Sequence, residues 1–129
     1  MKGSCKMLNP QEVYQRNQVM TARPEELTLM LYNGAIKFLH QAKLAIEKKD
    51  ITKANSSLVK TQDILTELMT TLNLDYEISN SLLSLYDYMK NRLVEANIAK
   101  DIAVIIEIEN MLFELKNTWA TAMKQGLSS

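Results

Sequence analysis

The sequence predicts an all-α protein: an antiparallel up-down four-helix bundle with an N-terminal arm or short extra helix. Three observations carry that expectation. Helix breakers are scarce, with 3 Gly and 2 Pro in 129 residues. Apolar side chains recur at alternating steps of three and four, the seam of a helix in a bundle. Asp50, Asp75 and Asp101 each stand where they can cap a following helix. The length fits one domain, and 47% apolar residues is an ordinary globular share.

Residues 1–23 are polar with scattered apolar anchors (Met7, Leu8, Val13, Tyr14, Val19 and Met20) and are read as an arm. The bundle is expected over residues 24–126. Its first helix starts at Pro24, whose missing N–H costs nothing in a first turn. Glu25 and Glu26 suit the positive end of the helix dipole, and Lys48 and Lys49 suit its close near residue 49. A second helix, capped by Asp50, spans roughly 51–73 with a stripe of Ile51, Ala54, Leu58, Thr61, Leu65, Leu68 and Leu72. Asp75 is expected to cap a third, roughly 76–100, and Asp101 a fourth, roughly 102–125, which Gly126 would stop. The fourth carries Ile105, Ile108, Leu112, Leu115, Trp119 and Ala122. Short connections make consecutive helices antiparallel.

Composition narrows the function. With 15 basic and 15 acidic residues the net charge is zero, and no run is strongly basic, which argues against nucleic acid. No apolar stretch approaches the ~18 residues of a membrane span, so no membrane insertion is expected. The N-terminus lacks an apolar signal-peptide core. The single cysteine, Cys5, cannot form an internal disulfide, in keeping with a reducing compartment and a cytoplasmic location. His40 is the single histidine; a di-metal bundle would want a Glu three residues earlier, and Lys37 stands there. No phosphate loop, nucleophile elbow or dinucleotide fingerprint occurs. No enzyme, metal or cofactor is expected. His40 on a helix leaves open a phosphotransfer bundle, though the Lys-Gly pair common after such histidines is missing; a plain surface histidine is the favoured reading.

The binding signals are stronger. The first helix is apolar at Leu27, Leu29, Met30, Leu31, Tyr32, Ala35, Ile36, Phe38 and Leu39, more than one packing face uses. Either it is central or covered by the arm, or it offers a groove to a partner helix. Gly34 costs about 1 kcal/mol inside a helix, which close approach of another helix or room for a partner's side chain would explain. On the third helix Tyr86, Met89, Leu93 and Asn97 share one face, as a core stripe or a binding row. Asn97 needs partners if buried, with Asp101, Tyr14 or arm backbone the candidates. Asp87 and Arg92 read as surface charges or edge ion pairs.

Several motifs in order resemble one family. The arm reads Tyr14-Gln15-Arg16-Asn17, followed by Thr21-Ala22-Arg23-Pro24-Glu25-Glu26-Leu27 and Leu29-Met30-Leu31-Tyr32-Asn33-Gly34-Ala35. Further on stand Leu85-Tyr86-Asp87-Tyr88-Met89 and Arg92-Leu93-Val94-Glu95-Ala96-Asn97, then Asp101 and Trp119. Over about residues 9–125 the chain resembles the flagellar secretion chaperones, the FliS family. The resemblance implies an antiparallel helical bundle that binds the disordered C-terminal region of flagellin in the bacterial cytosol. It would prevent premature polymerisation and keep flagellin competent for flagellar type III export, with the export-gate protein as a further partner. It places Leu29, Tyr32, Ile36, Tyr86, Met89, Leu93 and Asn97 at a flagellin-binding groove, and Tyr14 and Asn17 in a movable arm. Arg23 departs from the family's small hydroxyl residue before the proline, so the first helix is expected to fray at its start. The stretch after Asp75 lacks the family's Gly-rich turn, so a tighter connection is expected there. A phosphotransfer bundle using His40 and a structural, self-associating bundle are the competing readings.

Overall fold

The computed structural model describes residues 23–125. The predicted arm up to residue 22, with Tyr14 and Asn17, and the predicted stop at Gly126 lie outside the described residues. Four α-helices make up the rest: α1 Pro24–Glu47, α2 Ile51–Thr70, α3 Glu77–Ala99 and α4 Ile102–Lys124. Each packs on its neighbours in sequence, and α1 also packs on α4, so the four close into a ring. The α1–α2 seam is the most extensive and the α3–α4 seam the thinnest.

The ends follow local chemistry. Arg23 has no acceptor to offer as a cap. Glu26 reaches back instead: its Oε1 accepts from the Arg23 N–H at 3.2 Å and its Oε2 meets the guanidinium at 3.5 Å. The start of α1 thus keeps half of a capping box despite the missing hydroxyl. Asp50 accepts from the Lys53 N–H at 3.1 Å, and Asp101 from the N–H groups of Ala103 and Val104, as expected of caps. Asp75 does not cap α3. The Asn73 side chain accepts from the Asp75 N–H at 3.0 Å, an Asx turn that shortens α2 to Thr70 and passes the cap position to Tyr76. Tyr76 supplies no side-chain bond to the first turn.

The core runs through the ring as Tyr32, Ala35 and Leu39 of α1; Leu58, Leu65 and Leu68 of α2; Tyr86, Met89 and Leu93 of α3; and Ile105, Ile108 and Leu112 of α4. Stripe positions near the helix ends are less covered than expected. Ile51, at the first residue of α2, is 53% exposed. Leu115 and Trp119 are half-buried at the open end of α4. Gly34 faces α2: a Cβ there would stand 3.3 Å from Ile64 Cδ1, the end of a flexible side chain.

Candidate functional site

The predicted groove residues separate into three groups. Tyr32, Tyr86, Met89 and Leu93 lie in the core, none more than 2% exposed. Leu29 and Ile36 are half-buried on α1. Asn97 sits at the α2–α3 edge, where its amide nitrogen donates to Asn55 Oδ1 at 2.7 Å. Its Oδ1 and its backbone carbonyl both accept from Lys100 Nζ at 2.6 Å. Among the described residues Asn97 therefore finds partners on α2 and on its own turn rather than in Asp101, while Tyr14 and the arm lie outside the described residues.

At the centre, the hydroxyls of Tyr32 and Tyr86 meet at 2.6 Å across α1 and α3. A buried phenol needs such a partner, and each supplies the other's. Burial pushes both hydroxyls above the usual tyrosine range, since the phenolate would lose its hydration there. For Tyr86 the bond to Tyr32 raises it further. These two groups stay neutral and act as a polar tie between helices.

A second tie crosses the α3–α4 seam on the outside. Tyr88 Oη donates to Glu107 Oε2 at 2.6 Å, and Arg92 Nη2 donates to Glu107 Oε1 at 3.0 Å. Arg92 Nη1 also donates to Glu95 at 2.9 Å, while its buried Nε has no hydrogen-bond partner among the described residues. The hydrogen bonds from Tyr88 and Arg92 hold the Glu107 carboxyl below its usual range. The same bond, which favours the neutral phenol, raises Tyr88. Arg92 is thus the edge ion pair the sequence suggested, and Asp87 stays at the surface, accepting from Asn91 at 3.4 Å.

Three ties lay beyond the sequence reading. Lys43 Nζ meets Glu109 Oε1 at 2.6 Å across α1 and α4 with both side chains largely buried. The Trp119 indole donates to the Glu25 carbonyl at 2.8 Å, fixing the end of α4 to the start of α1. Glu107 joins α4 to α3. An acidic residue on a helix ordinarily reads as solvated; the one available signal was Trp119, whose indole N–H needs an acceptor when buried.

Two apolar clefts interrupt this ring. One, of about 460 Å³, opens at the bundle end between Pro24, Glu25, Leu27, Thr28, Thr71, Trp119 and Met123. Its threonine hydroxyls are spent on backbone carbonyls, Thr28 on Pro24 and Thr71 on Leu68, so the walls present mainly carbon. The other, of about 300 Å³, lies along the α3–α4 seam between Leu85, Met111, Glu114, Leu115 and Thr118. His40 is exposed on α1. Among the described residues no three His, Cys, Asp or Glu side chains gather as metal ligands. No described helix is long and apolar enough to cross a membrane.

Polar side chains engaged in joining helices, together with apolar clefts at the bundle end and along the α3–α4 seam, define an all-α four-helix bundle with carbon-lined clefts on its surface. Comparison with known proteins places it within that class. The family described as flagellar protein FliS matches residues 7–126. The flagellar secretion chaperone FliS of Bacillus subtilis is 46% identical over 90% of this chain and 87% of its own length. That of Salmonella typhimurium is 34% identical over 84% of this chain and 82% of its own. The flagellar secretion chaperone FliSB of Pseudomonas aeruginosa is 33% identical over 84% and 88%. The chain belongs to the FliS family of flagellar secretion chaperones.

Proposed function

We propose that this protein binds the C-terminal region of flagellin in the bacterial cytosol, blocks its premature polymerisation and keeps it competent for flagellar type III export. The observation that carries the proposal is the 46% identity to a flagellar secretion chaperone over nearly the whole chain. The clefts support it, since their carbon-lined walls suit the apolar face of an amphipathic segment. A flagellin segment that is disordered alone and helical when packed would fold as it binds, so ordering entropy offsets part of a large contact area. Covering its apolar face prevents pairing with other subunits. Release belongs to the export gate, whose protein is the second partner.

Leu29 and Ile36, half-buried on α1, are the groove residues within reach of a partner in the closed bundle. Tyr32, Tyr86, Met89 and Leu93 are buried in the core and would take part when the helices part; Asn97 would fix register at the α2–α3 edge. Titration with a peptide of the C-terminal ~40–50 residues of the cognate flagellin, a length on the coupled-folding scale, tests the proposal by calorimetry and circular dichroism. Saturable binding with more helix than the summed free spectra is expected. No binding, either to the full chain or after deletion of residues 1–20, would reject it.

A further inference from the structure

α3 is held to its neighbours unevenly. From Tyr86 onward it is tied to all three: Tyr86 to Tyr32 on α1, Tyr88 and Arg92 to Glu107 on α4, Asn97 to Asn55 on α2. Residues 77–85 have no such tie. No described hydrogen bond or ion pair joins their side chains to another helix, and the cap residue Tyr76 leaves the first turn without a side-chain acceptor. Leu74, Tyr76 and Ile78 stand 54%, 63% and 65% exposed around this start. What holds the segment is the burial of Ser79 and the partial burial of Leu82, Leu83 and Leu85. Its α4 side faces the thinnest seam of the ring, where Leu85 borders the cleft with Met111 and Leu115. Few buried apolar contacts and an uncapped end are the marks of a part that opens before the whole unfolds.

We propose that residues 77–85 are a hinged segment that frays from its uncapped start, comes off α4 as far as Tyr86–Tyr88 and admits an amphipathic helix of the exported subunit between α3 and α4. The inference rests on the flagellin reading above and supplies its route of entry. The cleft selects the occupant: Leu85, Met111 and Leu115 give an apolar floor, Met111 adapts its shape to what packs on it, and Glu114 and Thr118 form a polar rim. That pattern complements a helix apolar on one face and polar at its flanks. Opening also uncovers the start of the row that carries Tyr86 and Met89, which the closed bundle buries. The Tyr32–Tyr86 bond and the Glu107 tie limit the swing to the turns before them.

The binding-competent state is then a minor one, and whatever stabilises the closed segment weakens apparent affinity in proportion. Tyr76 has the extended backbone of a cap residue, φ −97 and ψ 137, so Tyr76→Asp supplies the missing cap. A cap of ordinary strength makes the open state roughly fivefold rarer. Amide exchange over residues 80–86 is expected to slow by about that factor, with α1 and α2 unchanged, and the dissociation constant for the flagellin C-terminal peptide to rise by the same factor. Slower exchange with unchanged affinity would overturn the proposal. Independently, in a Cys5→Ser background, Leu85→Cys and Leu115→Cys joined by a flexible bismaleimide close the seam covalently, with circular dichroism checking the fold. The bridged protein should bind the peptide at least about tenfold more weakly than the same double variant left unbridged, whose own affinity, with two floor residues shortened, is the reference. Equal binding by both would refute entry through this seam, whereas absence of binding by the unmodified protein would refute the flagellin reading itself.

Discussion

Removing one hydroxyl from the Tyr32–Tyr86 pair tests whether the centre of the bundle is held as described. Tyr86→Phe takes away one partner of a 2.6 Å bond and leaves the Tyr32 hydroxyl in a core position only 2% exposed. A neutral bond is worth about 0.5–1.5 kcal/mol net, but an orphaned buried group costs about 1–3 kcal/mol. Tyr86→Phe and Tyr32→Phe should therefore each destabilise by about 1–2 kcal/mol. The double variant leaves no orphan and keeps both rings, so it should lie close to the parent protein. Urea unfolding followed by circular dichroism and Trp119 fluorescence gives the four stabilities of a double-mutant cycle. Coupling of at least about 1 kcal/mol is expected. Additive single losses, or singles that cost nothing, would show that the hydroxyls do not depend on each other.

The same pair fixes an alkaline limit. Both folded hydroxyls titrate above the unfolded value of about 10, chiefly because they are buried. Below that pH folded and unfolded chains hold the same phenolic protons, and the contribution is present in full. Above it the unfolded chain releases protons that the folded chain retains, so stability falls as pH rises. Each retained proton contributes a slope of about 1.4 kcal/mol per pH unit. In the Tyr32→Phe, Tyr86→Phe double variant the loss of stability between about pH 10 and 11 should be shallower by up to two such slopes. Absorbance at 295 nm should show these phenols ionising together with unfolding in the parent; free ionisation in the folded state would contradict their burial.

Three further substitutions test separate elements. Gly34→Ala should stabilise by up to about 1 kcal/mol in thermal unfolding, because the new methyl meets the movable end of Ile64 at 3.3 Å. A loss instead would mean that Ile64 cannot shift. Asp101→Ala should cost about 1 kcal/mol by removing the acceptor for Ala103 and Val104, read in the same denaturation assay. Lys43→Met should cost about 3 kcal/mol by leaving the Glu109 carboxylate, 8% exposed, without its cation. Adding Glu109→Leu should recover most of that loss, as apolar replacement of both partners of a buried pair does.

The fold was legible because burial on a helix leaves a period in the sequence. Leu58, Leu65 and Leu68, or Ile105, Ile108 and Leu112, stand at helical steps because one face of each helix meets the core. Boundaries were legible where a side chain does the capping, as at Asp50 and Asp101. They were misread at Asp75, because Asn73 competes for the backbone two residues on, a local choice that both sequences of events satisfy equally until the turn closes. The site was harder for a related reason. The spacing of Tyr86, Met89 and Leu93 states that they share a face, but it is the same whether that face meets a core or a partner. The closed bundle puts them in the core. Ties between helices, such as Glu107 with Tyr88 and Arg92, join residues distant in sequence through charges that have no periodic signature.

Those ties explain how a small bundle can be firm and still open. Glu107 and Glu109 are two residues apart on α4 and so point to opposite flanks, one to Arg92 on α3 and the other to Lys43 on α1. Asn55 and Asn97 join α2 to α3 in the same half of the bundle, near the turns that carry Asp50 and Asp101. The opposite half has Trp119 bonded to Glu25 between α4 and α1 but, among the described residues, no side-chain hydrogen bond or ion pair between α3 and α4. Apolar packing is non-directional and tolerates substitution of one apolar face by another, whereas a hydrogen bond specifies its partner. A bundle that exchanges part of its own packing for that of a cargo helix should therefore concentrate its specific bonds away from the exchanged seam. The described residues distribute them in that way, which makes the first turns of α3 the part that can leave at least cost.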